Sequence, residues 1–333
     1  MKQLLFFVLL LLFSCNTDDG VTASTENSEG ENTTGAPTVQ ANATYTVSVT
    51  ENIEYARGLS HTSINSAETT SVPLYLDAYT PVDAGPNRPI LMLIHGGGFI
   101  GGSKQGVMAS LAQYFAERGW VVFSIAYRLQ ADLGTIPQEW EAYGDLVDAE
   151  FLDQFFAIYP AHRDAKAAMR WIVANAASYD INLDYITVGG GSAGAITAIG
   201  ISVSEDGDYT TEISSTLDET LNTTNLGESY EVKTILDFWG SDISVFALEE
   251  IYGFQRFDAN SPALFIAHGT EDPTVLFEEA LKLRDIYEAN QAPYVFYELT
   301  GLGHSAWNAT VEGKRLEALA LDYMVEQQSL LLE

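Results

Sequence analysis

Cysteine is almost absent: Cys15 is the only one in 333 residues, which excludes an internal disulfide framework and a cysteine-rich metal site. Basic side chains are scarce too. Fifteen Lys and Arg face 46 Asp and Glu, a formal charge of −31. So acidic a chain repels phosphate backbones, and nucleic acid is not an expected partner. A membrane-spanning helix needs roughly 20 consecutive apolar residues, whereas the run Leu4–Phe13 has ten. No internal repeat is visible, no pattern of metal-ligand spacing emerges, and no cofactor is expected. What is present is apolar: 47% hydrophobic residues and 11% aromatics can bury a substantial core, in one large domain or two small ones.

Lys2 ahead of Leu4–Phe13 has the pattern of a signal-peptide core, predicted here over residues 1–14. The run ends in Leu12-Phe13-Ser14-Cys15, which resembles the lipobox of bacterial lipoproteins. That resemblance implies cleavage after Ser14 and lipidation of Cys15. The lipid anchor would be the chain's only membrane contact, and Asn16 in place of an Asp leans towards the outer membrane, on the periplasmic or outer face. An ordinary secretory signal with an incidental cysteine is the alternative. Residues 16–44 hold no aromatic residue and no Lys or Arg, so they cannot offset their chain entropy by burial. The composition therefore predicts a lipidated cysteine and disordered acidic tether over 15–44. The folded domain, 45–333, is predicted to begin with the alternating Tyr45-Thr-Val-Ser-Val.

Two early strand candidates, 45–57 and 73–79, precede continuous apolar runs at 90–94, 121–125, 186–188, 232–238, 263–267 and 294–299. Helical patterns lie at 105–118, 164–177, 193–202, 275–289 and 310–331. Buried strands alternating with helices predict an α/β fold: a mainly parallel central sheet covered by helices on both faces, with antiparallel N-terminal edge strands. Two stretches break the alternation. Residues 129–162, rich in acids and aromatics, are a candidate lid insertion or an ordinary packed helix. Residues 202–230, almost all small and polar, read as a polar surface loop.

Chemistry concentrates in two glycine-rich turns. Gly190-Gly191-Ser192-Ala193-Gly194 follows the strand 186–188 and opens a helix of small residues. This is G-x-S-x-G in its strand–turn–helix setting, a turn so sharp that small neighbours are needed and the Ser192 hydroxyl is thrust out above the sheet. Gly189, Gly191 and Gly194 also spell G-x-G-x-x-G. That dinucleotide pattern requires an acid at the tip of the next strand, and Glu205-Asp206-Gly207-Asp208 has no apolar strand before it. Upstream, His95-Gly96-Gly97-Gly98-Phe99 follows the strand 90–94. Successive glycines leave backbone N–H groups unshielded, as a developing oxyanion requires.

HGGGF with GGSAG resembles the α/β-hydrolase superfamily, in its hormone-sensitive-lipase and carboxylesterase branches, over about residues 45–330. Asp77, Tyr127-Arg128-Leu129 and Asp164 to Trp171 fit the same pattern. The resemblance implies an α/β-hydrolase fold and an oxyanion hole made by the N–H groups of Gly97, Gly98 and Ala193, with His95 bracing the loop. Ser192 would be the nucleophile. The acid and base must follow it in chain order. Asp272, on the loop after the strand 263–267, stands where the family has its acid, with Glu271 as rival. His304, on the loop after 294–299, stands where the family has its base, and His268 reads as a strand-end residue bonded to backbone. Phe99, Trp239 and Trp307 are candidate pocket residues, or simply core.

These readings describe a serine carboxylic-ester hydrolase acting through an acyl-enzyme. Its expected partner is a small-molecule or polymeric ester: small acyl or aryl esters, or acylated polysaccharide of the acetyl or feruloyl kind. Amide cleavage by an amidase, peptidase or arylformamidase, polyester hydrolysis, and a non-catalytic esterase-fold binding module are the alternatives. With an imidazole as general base, turnover is expected to fall as the pH drops through about 6.5, the ordinary histidine range. A kcat/KM profile that stays flat from about pH 5 to 8 would count against His304 in that role.

Overall fold

A computed structural model describes residues 35–333; the expected signal peptide, Cys15 and most of the tether lie outside them. The sheet has eight strands. β2 (Val47–His61), β3 (Thr69–Pro81), β4 (Arg88–Ile94) and β5 (Val121–Ile125) form one half, and β6 (Ile181–Gly191), β7 (Thr234–Phe238), β8 (Ala263–Gly269) and β9 (Tyr294–Leu299) the other. The spatial order is β2-β3-β5-β4-β6-β7-β8-β9. β2, β3 and β5 pair antiparallel, and every pair from β5 to β9 is parallel. The predicted α/β architecture with antiparallel N-terminal strands is the one observed.

The seven residues of β4 are all buried, the mark of a strand covered on both faces. Ile90, Met92 and Ile94 face one core layer, with α3 (Leu152–Ala174), α4 (Ala193–Val203), α5 (Ile243–Tyr252) and α6 (Phe277–Asn290). Leu91 and Leu93 face the other, with α1 (Val107–Ala116) and α7 (Leu316–Gln327). The two-residue alternation of side chains thus feeds both layers from one strand.

Four expectations need correction. The folded body begins before Tyr45: β1 (Thr38–Val39) pairs with β12 (Leu331–Leu332), and Val39 is fully buried. A two-residue strand is too short to show in composition. Residues 310–331 are not one helix. Glu312 and Gly313 both take positive φ, turning β10 (Thr310–Val311) back on β11 (Lys314–Arg315) as in a tight two-residue hairpin before α7 begins. The candidate lid 129–162 is not a separate insertion. It contains α2 (Gln138–Tyr143) and then runs into α3, which continues through Pro160. Trp140 is fully buried there, stacked on Phe155 at 5.2 Å.

The fourth correction concerns 202–230, which is irregular and partly exposed but is not simply a surface loop. Tyr209, Asp218, Leu221 and Thr224 are buried, and the segment covers the cations of α3. Arg163 Nη2 donates to Thr220 Oγ1 at 2.9 Å and lies 3.2 Å from Asp218. Arg170 Nε donates to the Thr224 carbonyl. Beside them Arg128 grips Asp164 through Nε at 2.8 Å and Nη2 at 2.7 Å, joining the two supporting stretches of the sequence pattern. Asp164 also meets Arg163 at 3.1 Å. A buried ion pair adds little over an apolar pair, but an unpaired buried charge is costly. Asp164→Asn, which strips the shared counter-charge from two arginines, is therefore expected to destabilise the fold by about 3–5 kcal/mol. A urea midpoint unchanged from the parent would contradict this account.

Candidate active site

Parallel strands end on the same side of a sheet, and here their ends are in register. Ile94 sits opposite Gly190, Gly191 opposite Phe238, Phe238 opposite Ala267, and Gly269 opposite Leu299. The loops after β4, β6, β7, β8 and β9 therefore rise from one edge, the usual place for a site in an open α/β sheet. Residues far apart in sequence converge by this register alone.

The turn between β6 and α4 is held by close packing on the end of β4. A Cβ on Gly194 would lie 2.0 Å from the Ile94 carbonyl oxygen, and one on Gly190 2.4 Å from the same atom. Only glycine fits at either position. Squeezed between them, Ser192 takes φ 56° and ψ −126°, a conformation that non-glycine residues rarely adopt. Its amide donates to the Phe238 carbonyl at 2.9 Å, locking the elbow to β7. Phe99, Trp239 and Ser305 also take positive φ, and all three line the space above Ser192.

The structure brings Asp272 and His304 together. His304 Nδ1 and Asp272 Oδ2 are 2.7 Å apart, and Asp272 Oδ1 accepts from the amides of Thr274 at 2.8 Å and Val275 at 3.1 Å. Asp272 is buried, whereas the rival Glu271 is exposed. With Nδ1 engaged, the Nε2 edge of His304 is left for the cleft that it lines together with Ser192. Among the described residues no hydrogen bond joins Ser192 Oγ to His304. In an unliganded site such contacts are commonly long, and they tighten when substrate is bound.

His268 is fully buried, its Nε2 2.8 Å from the Val275 carbonyl, and burial lowers its pKa. It is a backbone-bonded strand-end residue. His95 stacks on Tyr127 with ring centroids 4.3 Å apart and engages the Gly96 carbonyl through Nδ1; Tyr127 donates to the His95 carbonyl. Burial lowers the pKa of His95 as well, and the ring props the glycine loop as a neutral group. Gly97 and Gly98 take φ 113° and 62°. Among the described residues their amides, and that of Ala193 at the first position of α4, donate to no protein acceptor. All three flank the cleft around Ser192.

The cleft has two lobes that meet at Ser192. One, of about 560 Å³, holds His304, the glycine loop, Trp239 and Trp307. The other, of about 480 Å³, is walled by Phe99, Phe155, Ile196, Phe246 and Leu276, among others. The three aromatic pocket candidates thus do not share one pocket: Phe99 belongs to the second lobe, Trp239 and Trp307 to the first. Much of the second lobe escaped the sequence reading, because α5 was not expected. Its Ile243, Phe246 and Ala247 line that lobe, and the apolar run 243–248 was the available signal. From 129–162, Tyr143, Leu146 and Phe151 form part of the wall, and Gln154 Nε2 donates to the Gly98 carbonyl at 3.0 Å.

Asp237, at the end of β7, is fully buried. Its Oδ1 accepts from Gly240 N at 2.7 Å and its Oδ2 has no partner among the described residues; burial pushes its carboxyl pKa up to about 7. The unfolded chain releases this proton near pH 3.9. Between the two values only the folded chain holds it, so this group's contribution to stability declines as pH rises. Asp237→Asn removes the titration. The melting temperature of the variant relative to the parent should therefore rise between pH 5 and pH 8, and a difference that does not change with pH would contradict the assignment.

The BD-FAE family model matches residues 76–140 and 153–251, about half of the chain. Among curated proteins, pyrethroid hydrolase Ces2a of Mus musculus is 35% identical over 123 residues, covering 36% of this chain and 19% of that protein. Carboxylesterase 1C of Rattus norvegicus is 33% identical over 127 residues, covering 37% and 20%. The chain thus spans about a fifth of the length of these relatives. Among solved structures, Thermogutta terrifontis esterase 2 phosphorylated by paraoxon aligns with a TM-score of 0.57 at 20% identity, over 81% of this chain and 94% of that one. A truncated carbohydrate esterase from gut microbiota aligns with a TM-score of 0.57 at 20% identity, over 89% and 100%. At that level of identity the likeness is one of fold.

Proposed function

The chain belongs to the α/β-hydrolase superfamily, and from that membership and the convergence of Ser192, His304 and Asp272 we propose that it is a serine carboxylic-ester hydrolase. One observation carries this reading: the 2.7 Å His304–Asp272 pair shares a cleft with a serine held at positive φ on a glycine-only elbow.

Each residue has a defined role. His304 Nε2 takes the proton of Ser192 Oγ as that oxygen attacks the ester carbonyl, and returns it to the departing alkoxide. Asp272 fixes the imidazole with its proton on Nδ1 and stabilises the imidazolium that forms. The free amides of Gly97, Gly98 and Ala193 receive the tetrahedral oxyanion. Each such donor is worth about 3–4 kcal/mol of transition-state stabilisation. The N-terminus of α4 behind Ser192 adds its positive end. Water then repeats the cycle on the acyl-enzyme.

An ester of an acylated carbohydrate is the favoured substrate class. Its support is the BD-FAE match and the fold shared with a carbohydrate esterase. Delivery as a lipoprotein anchored through Cys15 belongs to the same reading. The apolar run Leu4–Phe13 and the place of the chain's one cysteine support it.

Ser192→Ala is expected to cut kcat on p-nitrophenyl acetate by roughly 10⁵–10⁶-fold, with the melting temperature close to that of the parent. Acetylated xylan and methyl ferulate should be cleaved by the parent and spared by the variant. Turnover retained in the variant would require another nucleophile, and cleavage of the matching anilide but not the ester would move the assignment to amide hydrolysis.

A further inference from the structure

The two lobes differ in what they can do for an ester. In acyl transfer the Ser192 Oγ–carbon bond forms first, giving the tetrahedral oxyanion, and the bond from carbonyl carbon to leaving oxygen breaks as that intermediate collapses. The proton lifted from Oγ must then reach that leaving oxygen from His304 Nε2. The alcohol therefore has to lie beside His304. Only the larger lobe is lined by His304, and Ser103, Gln105, Thr274 and Ser305 share that lobe with the glycine loop. The smaller lobe has no histidine, and Phe155, Ile158, Ile196 and Ala247 make it mostly apolar.

Trp239 stands at a decisive place in the larger lobe. It is buried against Trp307, at 4.6 Å between ring centroids, and its ring lies 6.2 Å from that of His304. Its Nε1 is beside the elbow, 3.3 Å from where a Cβ on Gly191 would stand. Among the described residues this N–H has no acceptor in the protein, yet it is not sealed off as the indole nitrogens of Trp120 and Trp140 are. A buried tryptophan usually finds a partner for its N–H. Here the free donor belongs to a residue that lines the same cleft as Ser192 and His304, with its backbone at φ 49°.

Resting on the ester-hydrolase reading, we infer that the His304 lobe is the alcohol site, in which Trp239 Nε1–H donates to a hydroxyl of the departing alcohol, and that the apolar lobe holds the acyl chain. The substrate is then an ester joining an apolar acyl group to a polyhydroxylated alcohol. Trp239 acts as a specificity residue for the alcohol half. Leu146, Phe151 and Leu276 are exposed at 78%, 54% and 56% on the rim of the apolar lobe, leaving room for an acyl chain longer than acetyl to pass outwards.

Four esters test this: ethyl acetate, ethyl octanoate, acetylglycerol and octanoylglycerol, each presented below its critical micelle concentration. Trp239→Phe keeps a ring and loses the N–H. It should lower kcat/KM for the glycerol esters relative to the ethyl esters by about threefold to tenfold, the worth of one neutral hydrogen bond, with the loss mainly in KM. Ala247→Phe fills the apolar lobe. It should depress the octanoyl-to-acetyl ratio at least tenfold while leaving the glycerol-to-ethyl ratio where it was. Ratios within one preparation are insensitive to the fraction folded. Equal losses on all four esters in Trp239→Phe, or an alcohol preference moved by Ala247→Phe, would overturn the lobe assignment. Parent protein that cleaves some of these esters while both ratios stay fixed in the variants overturns this inference alone. Parent protein inert on all four yet active on p-nitrophenyl acetate overturns this inference alone; inert on that ester too, it overturns the hydrolase reading and this inference with it.

Discussion

The site depends on a contact that contains no catalytic atom: the end of β4 pressing on the turn between β6 and α4. The Ile94 carbonyl comes so close to Gly190 and Gly194 that neither could carry a side chain. Because the two strands are parallel neighbours, with Ile94 opposite Gly190, the glycine loop that follows β4 and the serine that follows β6 must emerge side by side. Free amides on one loop and a hydroxyl on the other are brought together by this one approach. The strain in Ser192 is tolerated because the sheet on both sides over-determines it.

Behind the sheet, α3 is held by an arrangement of buried charge. Arg128, Arg163 and Arg170 lie in a layer that is otherwise apolar, and each finds a carboxylate, hydroxyl or carbonyl. The partners come from β2, from α3 itself and from 202–230, so these groups pin the long polar segment down as much as it covers them. The same helix begins at the cleft, where Phe155 and Ile158 face the apolar lobe. The wall of the substrate site and the charged layer are thus two ends of one rigid element.

The sequence made the eight strands, the two glycine turns and the order of serine, acid and base legible, because each is carried by short-range pattern. A strand buried on both faces is a continuous apolar run, as in β4. An elbow needs glycine at fixed offsets. Other features depend on contacts distant in sequence and left little local trace. β1 has two residues and exists only because β12 lies beside it. Asp218 and Thr224 read as loop because their burial is dictated by arginines about 50 residues away, and Tyr209 because it packs on His162, a similar distance back in the chain. A short turn of two positive-φ residues, Glu312-Gly313, broke what read as one long helix.

By itself, then, the sequence determined the fold class and singled out the side chains proposed to carry the chemistry, since apolar runs, glycine spacing and chain order are written along the backbone. Tertiary structure alone decided how the cleft is divided. It put Trp239 and Trp307 with the base and Phe99 with the apolar wall, and chose buried Asp272 over exposed Glu271 as the partner of His304. The reason is geometric: which face of a loop looks into a cleft depends on the register of neighbouring strands and on backbone torsions such as those of Trp239 and Ser305, and neither is encoded by the residue's own neighbours in sequence.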